Sequence, residues 1–552
     1  MPGNGIAATT RPGRPRAAAR AGISRERLGG RHIGTHHAGR FRKRVQSDVR
    51  SAGAASTLSR FVAVPASAYP SRPPLGRGRW IPRSETASRF VWSTAAALGA
   101  AAVCGVAVSK GGRVSELVLA IAALGALFLI TARVGVWTVL IWPVAAAALY
   151  PFLRLPHDHP IVTFDRAWVL ASISCLILGR RAVRMSRPTR LVSLAFGWLV
   201  VSFGLRALFT SGPNLGFEAI TTWLDAALLP VLLFMLARRL VTTRRRLHQL
   251  AASLALAGTV LASIGIAEKL LGFELASRTR GEVRFDPLIQ TIRVSGPYPV
   301  PEVYGLSLVI CLAATFYWMQ VRRGNAYFLG VLLIGLQAVA ISVTFFRAAW
   351  IAAVVVLVVA LTRPRQYART VAVVVFVAAA GFLAFTQLQQ SQTFTMRTRN
   401  VANVHARIAT YEQAIEIFRR NPFAGVGVDQ YFNVASKLPE KTQEGIASVP
   451  YPHDSYLGVL AEQGLAGFLP LLASTFAVWF ALGRLKKRVT DPEDATLSAS
   501  GRAAATGYLL MSLPLYMVPY GPSTSFFAVF LGGALGRLDA LDSGRAARRD
   551  GE

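Results

Sequence analysis

The chain has 552 residues, of which 53% are hydrophobic and only 16% charged, and its mean hydropathy is +0.42. Water-soluble domains carry roughly 25% charged residues, so this composition excludes an ordinary soluble enzyme. The formal charge of +34 does not point to nucleic acid, because it is concentrated in a basic N-terminal tail and in short connections between apolar runs.

Residues 1–90 hold 18 Lys/Arg against three acids (Glu26, Asp48 and Glu85) in a Gly/Ala/Pro/Ser-rich context without apolar periodicity. That pattern predicts a disordered basic cytoplasmic tail that sets topology or touches anionic membrane lipids. No apolar region lies near Met1, so a cleaved signal peptide is not expected. Beyond the tail, apolar runs near 20 residues recur, each long enough to cross a hydrocarbon core of about 30 Å. Backbone polar groups inside that core must be satisfied within the segment, which makes these runs helices.

Spans are expected near 91–109, 114–131, 134–153, 161–179, 191–211, 218–237 and 248–267, then near 303–320, 326–345, 348–362, 370–387, 464–483, 503–519 and 523–536. The fold class is therefore all-α, a polytopic membrane helix bundle of about 12–14 spans. Membrane helices fill 91–387 and 464–536, a large outer loop with short helices occupies 388–463, and 537–552 forms a cytoplasmic tail. The three cysteines, Cys104, Cys175 and Cys311, sit inside apolar runs and read as core residues rather than metal ligands or disulfide partners.

Charge sets the orientation. Starting with the tail inside, arginine and lysine crowd every second connection: Arg180 to Arg190, Arg238 to Arg246, Arg322–Arg323, Arg363 to Arg369, and Arg484 to Arg488. Arg545, Arg548 and Arg549 close the chain in phase, so both termini are assigned to the cytoplasm of a multi-pass inner (plasma) membrane protein. The same count places 268–302 and 388–463 outside.

In the larger outer segment, His405–Arg420 has helical spacing, with Ile408, Tyr411, Ile415 and Phe418 as an apolar stripe, Arg407 at its edge, and Asn421-Pro422 as the stop. Gly425-Val426-Gly427 reads as a turn and lacks the frame of a nucleotide fingerprint. At Pro452-His453-Asp454-Ser455, Asp454 or Ser455 can cap a helix running to Gly464. His453 then precedes a positive helix end, which favours a neutral imidazole able to accept a proton. Arg347 stands alone at an outer connection, where the charge bias runs against arginine; it reads as a lipid-headgroup contact or as an anion ligand. Two guanidiniums and an imidazole at one face suit a pyrophosphate, because guanidinium offers bidentate hydrogen bonds and stays charged.

Four stretches resemble the O-antigen ligase/polymerase family of membrane glycosyltransferases. They are Arg293-Val294-Ser295-Gly296 with Pro301, Phe346-Arg347-Ala348-Ala349-Trp350, Arg407 through Asn421-Pro422-Phe423-Ala424-Gly425-Val426-Gly427, and Pro452-His453-Asp454-Ser455-Tyr456-Leu457 through Glu462 to Gly467. Two departures stand out: Asp454 replaces the family's usual Asn, and Phe-Arg-Ala replaces its Ser-Arg-Gly. The resemblance implies polysaccharide biosynthesis at the cell envelope, with O-antigen transfer to lipopolysaccharide as the type case. A glycan would pass with inversion from a polyprenyl pyrophosphate, such as undecaprenyl pyrophosphate, to a glycan, lipid or protein acceptor hydroxyl, without cofactor or metal. It further implies that Arg347 and Arg407 bind the pyrophosphate, that His453 is the general base, and that Arg293 is a supporting cation.

Other groupings read more plainly. Glu412 and Glu416 read as a solvated helix face, and His157-Asp158-His159 as a polar outer turn. Arg206 and Asp225 are in or near membrane runs and are expected to pair across helices, as a clamp or as part of a lipid-substrate groove. A flippase for lipid-linked oligosaccharides and a membrane scaffold are the rival classes. The halves show no clear repeat, which argues against a transporter.

Overall fold

A computed structural model describes residues 135–153, 163–178, 184–210, 215–272, 285–286, 291–361, 402–438, 452–488, 491–516 and 521–549. The N-terminal tail, the expected spans at 91–109, 114–131 and 370–387, and His157 to His159 lie outside the described residues.

The described chain is a helix bundle. In order, it contains α1 (Val136–Leu153), α2 (Phe164–Leu178), α3 (Arg187–Leu208), α4 (Leu215–Trp223), a π-helical turn (Leu224–Leu228), α5 (Leu229–Leu240) and α6 (Arg244–Leu271). After a two-residue antiparallel pairing of Phe285–Asp286 with Thr291–Ile292 come α7 (Pro301–Gln320), α8 (Asn325–Ser342) and α9 (Arg347–Leu361). The segment 402–438 contributes α10 (Ala402–Arg420) and α11 (Tyr431–Ala435), and the described residues close with α12 (Ser455–Arg488), α13 (Pro492–Ser512) and α14 (Gly521–Arg549). Among the described residues, seven helices are long and apolar enough to cross a membrane, and α1 and α9 are shorter apolar helices. The protein is thus a multi-pass membrane protein.

The centre is α7, apolar on all sides and buried along nearly its whole length, as expected of a helix with no face turned to solvent or lipid. Helices α6, α8, α9, α13 and α14 surround it. At one end the charges are paired. Asp539 accepts from Arg238 and from the Ser186 backbone, each at 2.9 Å, Arg537 reaches Asp494 at 3.0 Å, and Arg244 pairs with Asp491. These contacts gather the arginine-rich connections at that end. The candidate residues are at the other end.

Three expectations need correction. Arg206 and Asp225 do not pair: Asp225 binds Arg166 at 2.9 Å, while Arg206 donates to the Gly425 carbonyl at 3.2 Å. Asp225 occupies the π-turn, where a wider backbone ring turns it to α2 instead of α3. On α10 the buried face is Thr410, Ala414 and Ile417, while Ile408 and Ile415 are exposed. Ala414 and Ile417 pack there against Tyr431, Ala435 and Ala461, a choice of face that hydrophobicity alone does not reveal. In place of the span expected at 503–519 the described helix is Pro492–Ser512, started by the Asp491 cap on the Glu493 N–H at 2.9 Å, and it is not among the seven helices apolar enough to cross a membrane.

Candidate active site

Arg347 is delivered by a tight turn. Phe345 takes φ +51°, unusual for a bulky residue. The Thr344 hydroxyl accepts the Phe346 N–H at 3.2 Å, and Trp350 Nε1 donates to the Ile341 carbonyl at 3.1 Å. The turn leaves Arg347 exposed at the first position of α9. A guanidinium there adds to the positive helix end instead of offsetting it, so the position favours an anion. Phe346 and Ala349 pack on Gly305, where an added Cβ would stand 3.1 Å from that of Ala349. Gly305 is one turn beyond Glu302, so Arg347 and Glu302 share this end of the bundle.

His453 is held from two sides. Tyr411, one turn after Arg407 on α10, donates its hydroxyl to the His453 carbonyl at 3.1 Å. Asp454 caps α12, accepting the Leu457 N–H at 2.7 Å, and the Ser455 hydroxyl donates to the Leu515 carbonyl at 2.6 Å. Burial together with the Arg407 charge pushes the imidazole down to about 4, with the Glu302 carboxylate pulling the other way. The ring is therefore neutral near pH 7, the state expected from the sequence. The main cause differs, being burial and Arg407, whereas Asp454 is occupied by backbone N–H groups.

Arg293 follows the short strand pairing and donates to Glu302 Oε1 at 2.9 Å. Both side chains are largely enclosed, at 20% and 17% exposure. Sequence reasoning missed Glu302, since an acid in the first turn of a helix after proline reads as ordinary dipole compensation. The structure thus sets Arg407 and Glu302 where their charges act on His453, pairs Arg293 with Glu302, and brings Arg347 to the same end. Glu412 is exposed and Glu416 pairs with Arg420 at 3.0 Å, as a solvated face requires. The side chain of His405 lies outside the described residues.

The loop before the site is pinned into a break in α12. Gly464 adopts φ +59°, ψ −157° inside that helix, a conformation essentially restricted to glycine. The interrupted helix leaves carbonyls and N–H groups without helical partners, and residues 422–427 satisfy them. Val426 and Gly427 donate to Ala461 and Glu462 at 3.1 and 2.8 Å, while Leu465 and Ala466 donate to Pro422 and Phe423 at 2.8 and 3.0 Å. Gly425, at φ +62°, is pressed so closely to the Glu462 carbonyl that a Cβ would collide. The Glu462 side chain accepts from the Tyr516 hydroxyl at 2.6 Å and from the Tyr431 N–H at 3.3 Å.

Two and three residues past His453, Ser455 and Tyr456 line a cavity of about 110 Å³. It runs between α3, the π-turn and α5, α12, α13 and α14, and its wall is mostly apolar, with Leu471, Trp479, Tyr508 and Phe527 contributing. An apolar slot that opens two residues from a buried imidazole suits a greasy chain.

Residues 329–472 match the family model described as O-antigen ligase. The match takes in Arg347, Arg407 and His453 and stops short of Arg293 and Glu302. No curated protein matches the chain.

Proposed function

We propose, proceeding from the O-antigen ligase domain at 329–472, that the chain transfers a glycan from a polyprenyl-pyrophosphate carrier to an acceptor hydroxyl at the outer face of the plasma membrane. The acceptor is a lipid, a protein or the end of another glycan, and both termini are cytoplasmic. The observation that carries this reading is a neutral His453 imidazole beside the Arg407 guanidinium, next to an apolar slot.

In this mechanism Arg347 and Arg407 grip the pyrophosphate and stabilise the charge that develops as it leaves. His453 takes the proton of the acceptor hydroxyl while its oxygen attacks the anomeric carbon, inverting that centre. The electron pair of the broken C–O bond stays on the pyrophosphate. Because that leaving group is already activated, no step is routed through a nucleotide or a pair of carboxylates. The first units of the polyprenyl tail rest in the cavity below Ser455 and Tyr456, and Arg293 is a supporting cation.

The test is transfer by the purified protein from a polyprenyl-pyrophosphate glycan, with donor binding measured in parallel. General-base catalysis contributes about 10²–10⁴-fold, so His453→Ala should lose about that much rate and still bind donor. Transfer at the parent rate by this variant would overturn the assignment.

A further inference from the structure

The carboxylate of Glu302 is out of place in a site built for an anion. It stands in the first turn of the central helix α7, largely enclosed, with Arg293 at 2.9 Å. Two routes independent of electrostatics place it at the His453 end. The side chains of Phe346 and Ala349, on either side of Arg347, pack on Gly305, one turn along from Glu302. Helix α13 links the two helix starts: the Met511 Cε would stand 3.9 Å from a Cβ on Gly305, and the Leu515 carbonyl beyond it receives the Ser455 hydroxyl. A fixed negative charge here opposes binding of a pyrophosphate, so its presence calls for a compensating use.

We propose that Glu302 is a positioning residue that holds Arg293 in the empty site and stabilises the imidazolium of His453 during transfer, an inference that rests on the catalytic reading above. With donor absent, the Arg293–Glu302 pair is neutral and adds little field at the pyrophosphate position. When donor arrives, Arg293 turns to a phosphate oxygen and Glu302 is left facing the ring. During transfer the acceptor oxygen bonds to the anomeric carbon, its proton moves to an imidazole nitrogen, and the C–O bond to pyrophosphate breaks with its electrons on the phosphate oxygen. The new imidazolium then stands beside the Arg407 guanidinium, a repulsive arrangement.

Among the described residues, the charges that act on the ring are Arg407 from α10 and Glu302 from α7, while Tyr411 binds the His453 backbone carbonyl and Asp454 is next in the chain. Asp454 is engaged with the N–H groups of Leu457 and Tyr456. Glu302 acts on the ring against Arg407. A carboxylate that does so favours the protonated ring.

This assignment predicts opposite effects on binding and on rate, which a merely structural carboxylate does not produce. In Glu302→Gln the anion is gone and Arg293 is released, so inorganic pyrophosphate should bind the full-length purified protein about three- to tenfold more tightly. Turnover in the same variant should fall about tenfold or more, and the acid limb of the kcat profile should move to lower pH. Arg293→Ala should weaken pyrophosphate binding, and Glu302→Asp should keep the parent pH limb. Weaker or unchanged pyrophosphate binding in Glu302→Gln would overturn the proposal, as would a tightened site with an unmoved acid limb. If His453→Ala is inactive while Glu302→Gln matches the parent in both measurements, the catalytic reading stands and this inference falls. If His453→Ala keeps the parent rate, both fall together.

Discussion

The break in α12 offers a perturbation whose size can be worked from the structure. Replacing Gly464 by alanine forces a side chain into φ +59°, ψ −157°, with its Cβ 2.5 Å from the Phe423 carbonyl carbon. The conformational penalty alone is about 1–3 kcal/mol. Relieving the collision means lifting residues 422–427 off the break and losing the four backbone bonds from Val426, Gly427, Leu465 and Ala466. At about 1 kcal/mol each, those bonds represent roughly 4 kcal/mol, close to three decades in a local opening equilibrium. Hydrogen exchange read by mass spectrometry on peptides covering 421–428 and 460–468 should therefore accelerate by about 10²–10³-fold, with the spans unchanged. Gly425→Ala attacks the same contact from the loop side, so the double variant should exchange little faster than either single one. Parent-like exchange in Gly464→Ala, or strictly additive effects, would refute the idea that one contact is braced by both glycines.

Arg347→Lys and Arg407→Lys should each impair transfer with pyrophosphate-linked donor despite keeping the charge, because lysine lacks the planar fork; the readout is initial rate at matched protein levels. The His453 ring, labelled for NMR, should stay neutral down to about pH 4 in the empty protein, and Arg407→Ala should raise its titration point. Because the folded value lies below the unfolded one, about 6.5, this residue favours the folded state above that pH and loses the contribution as pH falls toward 4, which thermal melts across pH 4–7 will register. Tyr411→Phe deletes the bond to the His453 carbonyl and should cost about 1 kcal/mol of local order, seen as faster exchange just before α12. A cysteine at Lys441 should react with an impermeant thiol reagent in intact cells, and labelling only after lysis would reverse the proposed orientation.

Much of the bundle was legible because membrane spans are written in long apolar runs and in the phase of arginine. The His453 helix was legible too. Its cap at Asp454 and its stop at Gly464 are local signals, and both hold. What stayed hidden depends on what a residue meets. Thr410, Ala414 and Ile417, and not Ile408 and Ile415, mark the inner face of α10, because contact with Tyr431 and Ala461 decides burial there. Asp225 reaches Arg166 and not Arg206 since a π-turn alters the facing, and no residue type announces such a turn. Glu302 passed as a helix-start acid; its link to Arg293 crosses a turn and its link to His453 crosses 151 positions.

The π-turn also fixes how the helical segment Leu215–Leu240 is clocked. Outside it, Trp223 Nε1 donates to the Val200 carbonyl at 2.8 Å; beyond it, Arg238 reaches Asp539 at 2.9 Å. One residue of a regular helix corresponds to a rotation of about 100°, so the two anchors are in register only because the turn Leu224–Leu228 takes up the difference. Deleting Ala226 would remove the one residue that the turn takes up, so the segment should wind as an uninterrupted α-helix with both the tryptophan and the arginine still anchored, whereas a deletion elsewhere in the same span would pull one of them out of register.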